Sequence, residues 1–315
     1  MARAGLRNLP IGMYGMVMGL AGLGLSARAA APVLPGLVPA PAYFTELWVA
    51  LGAAALVLLV PLYLAKALLH PRDAKSDFTH PSTLGFCGAL PVGLILVAGG
   101  VAPYLPAFGV ALWWTGVALL VTLQVWALYR LLGGGIELAQ LNAGWLIVLV
   151  GGIVAPGPGI ALGQAEAARF MFGVSAAVAP LLMALLFFRA AFAEPLPEPL
   201  RPSWFILLVP PSLVYANGIA LYEGLFFLEN LYFFALLLGV ALLVYSRKVL
   251  SWRFGAPWWA FTFPLDALAY AAARYAQDHP SKLAAAATGA TLLLATLAVV
   301  IVLWRTLRSA ASRAA

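Results

Sequence analysis

Charge is scarce in this chain. Only 9% of its 315 residues are Asp, Glu, Lys or Arg, against about 25% in a soluble domain. That shortage excludes a water-facing surface wrapped round a single core. Cysteine is scarcer still. Cys87 stands alone, so no intramolecular disulfide forms, and its apolar setting marks a buried, inert thiol rather than a redox centre. The three histidines, His70, His80 and His279, lie far apart at the ends of apolar runs. No His/Cys/Asp/Glu spacing resembles a metal site. A Ser/His/Asp constellation is missing too, so no enzyme is expected. Gly133-Gly134-Gly135 lacks the Lys-Ser/Thr of a phosphate loop and reads as a helix stop. No cofactor is implied. The stretch from Pro10 to Ser26 is too long and too Gly-rich for a signal core, and no good Ala-x-Ala site follows.

What the chain has is apolar sequence. It is 64% hydrophobic, with a mean hydropathy of +0.98. A membrane span needs ~20 apolar residues to cross ~30 Å of hydrocarbon. The pattern predicts an all-α polytopic membrane protein, a single transmembrane domain over 1–315 with ten spans. They fall near 10–29, 43–69, 82–101, 106–130, 143–162, 168–192, 203–222, 226–246, 257–276 and 283–305. Short connections make neighbours antiparallel.

The net charge of +7 does not point to nucleic acid. The basic residues sit at span ends and never interleave with aromatics on a polar surface. They set orientation instead. With both termini cytoplasmic, 14 of the 18 fall inside: Arg3, Arg7, Lys66, Arg72, Lys75, Arg130, Arg189, Arg201, Arg247, Lys248, Arg253, Arg305, Arg308 and Arg313. Only Arg28, Arg169, Arg274 and Lys282 fall outside. The asymmetry follows the positive-inside rule and predicts a multi-pass protein of the cell's inner (plasma) membrane.

The spans divide by composition. Even-numbered spans are mostly Leu, Val, Ala and Phe. Odd-numbered spans carry breakers near their centres: Gly12, Gly15 and Gly19; Gly88, Pro91 and Gly93; Gly151, Gly152 and Pro156; Pro210 and Pro211; Pro264. An interior proline removes a hydrogen bond and kinks a helix, and the freed groups must face protein or a wet cavity. Five such helices on alternating spans predict an inner ring round a pore, backed by a plain outer ring. Close packing through small residues is the competing explanation, and Gly15-Met-Val-Met-Gly19 fits it.

Certain stretches resemble a known family. LPIGMYGMVMGLAGLGL in span 1, HPSTLGFCGALPVG leading into span 3, RPSWFILLVPPSLV in span 7 and PWWAFTFPLDA in span 9 are similar to the tellurite-resistance and dicarboxylate-transporter family. That family includes TehA-like proteins and the plant slow-type guard-cell anion channels. The resemblance implies ten helices as five hairpins, with odd spans lining one pore per subunit. It also implies a homotrimer that passes small inorganic or dicarboxylate anions. It places a pore-plugging phenylalanine at Phe263, kink prolines at Pro91, Pro210 and Pro264, and the span 1 glycine at Gly15. Where relatives can carry proline in spans 1 and 5, this chain has Val17 and Val148, so those helices bend through glycine or bend less.

The chemistry agrees with a gate. A phenyl ring gives a dehydrating anion no strong hydrogen bond and keeps a constriction dry. Trp258, Trp259 and Phe261 read as packed or lipid-facing, the tryptophans within an interfacial belt. No Lys or Arg lies at the centre of an odd span, so attraction falls to backbone dipoles and to basic groups at the inner mouth, such as Arg201, Arg247, Lys248 and Arg253. Asp266 is the one intramembrane carboxylate near the gate. Three roles are open: neutral through burial, paired with a donor off the axis, or proton-carrying. Pairing is the expectation. The alternative function is a proton-coupled carrier or exporter of tellurite, sulfite or C4-dicarboxylates such as malate.

Overall fold

The computed structural model describes residues 6–36 and 41–314. Every regular element among them is helical. Eight helices are long and apolar enough to cross a membrane: Tyr43–Leu69, Pro81–Val101, Pro106–Leu132, Gly144–Ala161, Ala165–Phe192, Glu198–Leu221, Phe226–Val249 and Lys282–Ser312. They coincide with spans 2 to 8 and span 10. Spans 1 and 9 are helical as well, over Ile11–Tyr14 with Gly15–Ala30 and over Ala256–Phe261 with Thr262–Asp278. Both fall outside the eight. Glycines at 12, 15, 19, 22 and 24 dilute the first, and Asp266, Arg274 and Asp278 the ninth. Length and hydropathy alone account for eight crossings, not the expected ten. Arg3 of the basic set lies outside the described residues.

Burial separates the helices into two layers. Spans 3, 5 and 7 are each 83% buried over their most apolar stretch, whereas spans 2, 4, 6, 8 and 10 are 28–39% buried. Yet both classes are strongly apolar. A helix that is apolar all round and still exposed needs hydrocarbon as its solvent. Leu58, Val125, Leu181, Leu237 and Leu293 are examples of its uncovered side chains. Spans 1 and 9 belong to the buried layer, with Val17, Leu23, Ala27, Ala269 and Ala273 at 0% exposure. The five buried spans touch in the cyclic order 1, 3, 5, 7, 9 and back to 1, and each also packs on the outer span that follows it. The result is an inner ring inside an outer one.

The breakers fall where the winding of these helices changes. All five inner spans contain a 3-10 segment followed by α-helix: Ile11–Tyr14, Gly85–Gly88, Gly151–Val154, Glu198–Leu208 and Ala256–Phe261 precede α-helices starting at Gly15, Ala89, Pro156, Val209 and Thr262. Pro91, Pro156, Pro210 and Pro264 each fall within the first three residues of the α-helical part. There an amide hydrogen has no α-helical partner to lose. The tighter winding rises about 2.0 Å per residue rather than 1.5 Å, so each inner helix changes pitch along its length. Proline is not confined to the inner ring, since Pro61 and Pro180 lie inside spans 2 and 6.

Small residues set how closely the rods approach. A Cβ on Gly88 would stand 2.8 Å from the Ile147 carbonyl and from Val148 Cα, backbone that cannot step aside. Gly134 and Gly135 adopt φ of +72° and +76°, which makes the tri-glycine the expected helix stop. One polar cluster ties the connector Pro71–Thr79 to the bundle. Buried Lys66 donates to Asp77 Oδ2 at 2.6 Å and to the Leu9 carbonyl at 2.8 Å, and Tyr63 donates to the same carboxylate at 2.7 Å. Cys87 is buried beneath it, its thiol 3.4 Å from the Asp77 carbonyl.

Candidate functional site

Three cavities lie inside the inner ring, and residues from all five inner spans line each one. The upper cavity, at the C-terminal ends of the inner spans, measures about 270 Å³. The throat below it is only about 40 Å³. The lower cavity, at the N-terminal ends, is about 370 Å³. Phe263 and Val154 line both the upper cavity and the throat. Gly15, Ile147 and Ala260 line both the throat and the lower cavity. The three are therefore consecutive chambers along one axis, divided by side chains.

Phe263 is placed by its helix. It is the second residue of Thr262–Asp278, just past the change of pitch, and is 6% exposed. The throat it lines has space for about one water molecule. Its walls include Met18, Val92, Val150, Ile206 and Val209, and among the lining residues only Trp259 carries an N–H or O–H in its side chain. Pro264 lines the throat as well.

Span 1 is cut away to admit this segment. Gly15, Gly19 and Gly22 follow one face of span 1 and meet Trp259, Thr262, and Phe263 with Asp266 in turn. A Cβ on Gly22 would stand 2.9 Å from Phe263 Cδ2 and 2.9 Å from Asp266 Oδ2. Glycine there is the only residue that leaves room for the ring and the carboxylate together.

The remaining expected residues distribute as follows. Gly15, Gly151 and Pro210 meet Phe263 and Pro264 around the throat. Gly19 packs on Thr262, Gly152 on Met171 and Ser175 of span 6, and the Pro91 carbonyl faces Gly116 of span 4; none of these three lines a cavity. Val17 and Val148 are fully buried. Arg201, Arg247, Lys248 and Arg253 line none of the three chambers. Arg201 instead donates to the Leu196 carbonyl, and the Arg253 amide to Glu198.

Two expectations need correction. The pairing expected for Asp266 is absent. It is 0% exposed, and neither carboxylate oxygen has a hydrogen-bond partner among the described residues. Gly22 of span 1 lies against the carboxylate and has no side chain to donate. Only the Asp266 backbone is engaged, as its carbonyl accepts from Ser26 Oγ at 2.7 Å. Of the two readings of the tryptophans, packed or lipid-facing, burial selects packed, so they form no interfacial belt. Trp258 and Trp259 are 2% and 1% exposed. Arg305 of span 10 lies 4.3 Å above the Trp258 ring, and the Trp258 indole donates to the Arg253 carbonyl.

Sequence reasoning missed the upper cavity's polar set: Asn217, Tyr270, Arg274 and Gln277. A signal existed. From Phe263, positions seven, eleven and fourteen further along fall on nearly one helical face, and they are Tyr270, Arg274 and Gln277. Arg28 and Arg274, two of the four basic residues assigned outside, also line this cavity.

Comparison with known proteins fits this geometry. The family model described as "Voltage-dependent anion channel" matches residues 8–307. The S-type anion channel SLAH3 of Arabidopsis thaliana is 27% identical over 281 residues, covering 86% of this chain and 44% of that protein. The guard cell S-type anion channel SLAC1 of the same plant is 26% identical over 290 residues, covering 87% and 51%. SLAH2, another of its S-type anion channels, is 25% identical over 223 residues, covering 69% and 42%. The chain thus spans about half the length of these relatives.

Proposed function

This chain belongs to the voltage-dependent anion channel family, and from that premise we propose that it passes small anions through a pore within each subunit, with Phe263 as the gate. The family is one of channels, not of enzymes. The observation that carries the reading is the file of three chambers lined by the same five helices, with one phenyl ring between the upper two. An anion in the throat would lose most of its water and gain no charge-assisted partner, and such a barrier closes a pore without filling it. Weak binding along the path suits a channel, since a deep central site slows exit. The reading includes ten spans, with spans 1 and 9 completing the ring. It also includes both termini in the cytoplasm, the inner (plasma) membrane as location, and a homotrimer.

The test is Phe263→Ala in planar bilayers, with chloride, nitrate and malate in turn. Removing the ring merges the throat with the upper cavity. Lowering the dehydration barrier by about 1.4–2.8 kcal/mol would raise conductance about 10- to 100-fold. Unchanged conductance at normal protein levels would end the gate assignment.

A second reading has one observation in its favour. Asp266 is buried without a partner and touches the same glycine as the gate ring. In a proton-coupled carrier of an oxyanion or dicarboxylate, Asp266 would bind and release the proton. Uptake into proteoliposomes would then saturate, follow a proton gradient and lose that dependence in Asp266→Asn. Flux indifferent to the gradient would leave the channel alone.

A further inference from the structure

We propose that the upper cavity holds an anion presenting two coplanar oxygens, such as nitrate or a small carboxylate, on the guanidinium of Arg274. The assignment rests on the reading of the chambers as an anion path and adds a place where the anion pauses.

Two arginines line this cavity, and they are not equivalent. Arg28 is already neutralised. It pairs with Glu46 at 3.2 Å and donates to the Gly99 and Gly100 carbonyls, each at 3.2 Å. Arg274 makes no ion pair among the described residues. Its guanidinium donates from Nη1 to Gln277 Oε1 at 3.1 Å, and its Nε is buried with no acceptor among the described residues. Glu229, at the start of span 8, pairs with His279 at 2.9 Å. Asp278, one turn further along, makes no ion pair with Arg274. A guanidinium offers five N–H donors, and a buried donor without an acceptor costs free energy that a suitable acceptor would recover. The cavity is where that acceptor can arrive.

The fork is also held in place. Gln277 Nε2 donates to the Ala29 carbonyl of span 1 at 2.7 Å. This fixes the amide so that its oxygen faces Arg274. A planar, oriented guanidinium matches two coplanar oxygens better than a spherical ion. Arg274 and Tyr270 line the same cavity as Phe263. The walls are largely apolar, with Leu25, Leu96 and Leu213 among them, and attraction to the charge is less screened there than in open water. Lower down, Gly157 leaves Asn217 Oδ1 and Tyr270 Oη each 3.7 Å from where its Cβ would be. Asn217 is 2% exposed, and its Oδ1 has no donor although its Nδ2 is bonded to the Ile153 carbonyl. That unmet acceptor favours water on the cavity floor, so the bound anion stays partly hydrated above the ring.

The experiment uses the full chain in detergent and follows its melting temperature against sodium nitrate, with sodium gluconate holding ionic strength constant. Ligand binding raises melting temperature in proportion to RT ln(1 + [L]/Kd). The parent chain is expected to show a saturable nitrate effect stronger than that of chloride. Arg274→Gln is expected to weaken nitrate affinity at least tenfold. Arg274→Lys, a milder change for folding, should weaken it several-fold because an ammonium lacks the fork. Arg169→Gln removes a charge from the same end of the molecule outside the cavity and should leave affinity within twofold. Nitrate affinity that survives both Arg274 variants, or falls equally in Arg169→Gln, would overturn the site. A parent chain that binds nitrate through Arg274 yet carries no anion current in any variant would overturn the channel reading and leave the site standing.

Discussion

Gly22→Ala perturbs Phe263, the proposed gate, while leaving that residue itself unchanged. The new Cβ would lie 2.9 Å from Phe263 Cδ2 and 2.9 Å from Asp266 Oδ2. Ordinary contact begins near 3.4 Å, so one or both groups must move by about half an ångström or more. The carboxylate is enclosed on a fully buried helix face, whereas the ring borders a cavity on two sides. The ring is therefore the group that yields, and away from span 1 means toward the pore axis. Overpacking costs about 1–3 kcal/mol. Alanine in a helix recovers about 1 kcal/mol relative to glycine, leaving a net loss of about 0–2 kcal/mol and a chain that still folds. The gate would sit tighter, and residual anion current should fall several-fold. The assay is bilayer conductance of four proteins: parent, Gly22→Ala, Phe263→Ala and the double variant. Coupling through the ring requires that Gly22→Ala lose its effect once the ring is gone. An equal fall of current in both backgrounds would refute the reasoning, because the alanine would then be acting on the wall and not through Phe263.

Two further outcomes test the packing. Gly88→Ala drives a methyl to 2.8 Å from the backbone of span 5, where nothing can rotate away. We expect a loss of about 3 kcal/mol or more, read as a lower melting temperature in detergent or as failure to accumulate in membranes. Lys66→Met strands Asp77, which then keeps only the Tyr63 hydroxyl of its two side-chain donors. Breaking a buried pair from one side costs about 3–5 kcal/mol, and Lys66→Met/Asp77→Asn should regain part of it. A single variant as stable as the parent would show that the connector Pro71–Thr79 does not depend on this pair.

Membrane residence, helical class and the layering of the bundle were legible from residue types alone. Lipid and interior are both apolar, so composition identifies a span such as Pro106–Leu132 whichever way it faces. Proline and glycine restrict backbone geometry locally, so their alternation between spans marked the inner ring in advance, at Pro91, Pro210 and Pro264 for example. Phe263 stands beside a proline in the middle of an apolar span, but it was chiefly the family resemblance that assigned it to the pore. Its position between two chambers was not visible, because that depends on what four other helices bring to the same depth.

Partnership decided the rest, and partnership is a property of the packed ring. Arg28 and Arg274 are the same residue at the same end of the molecule. Glu46 comes from another helix to neutralise one and leaves the other open. Asp266 drew a prediction of pairing because buried charges usually pair. The glycine opposite it, in span 1, offers space and no donor. Gly19 and Gly15 are alike in sequence, yet one packs on Thr262 and the other borders the throat. A helix carries its own periodicity in its sequence, but which face meets a cavity is set by the angle and offset of its neighbours, and those exist only once the five inner helices have closed on one another.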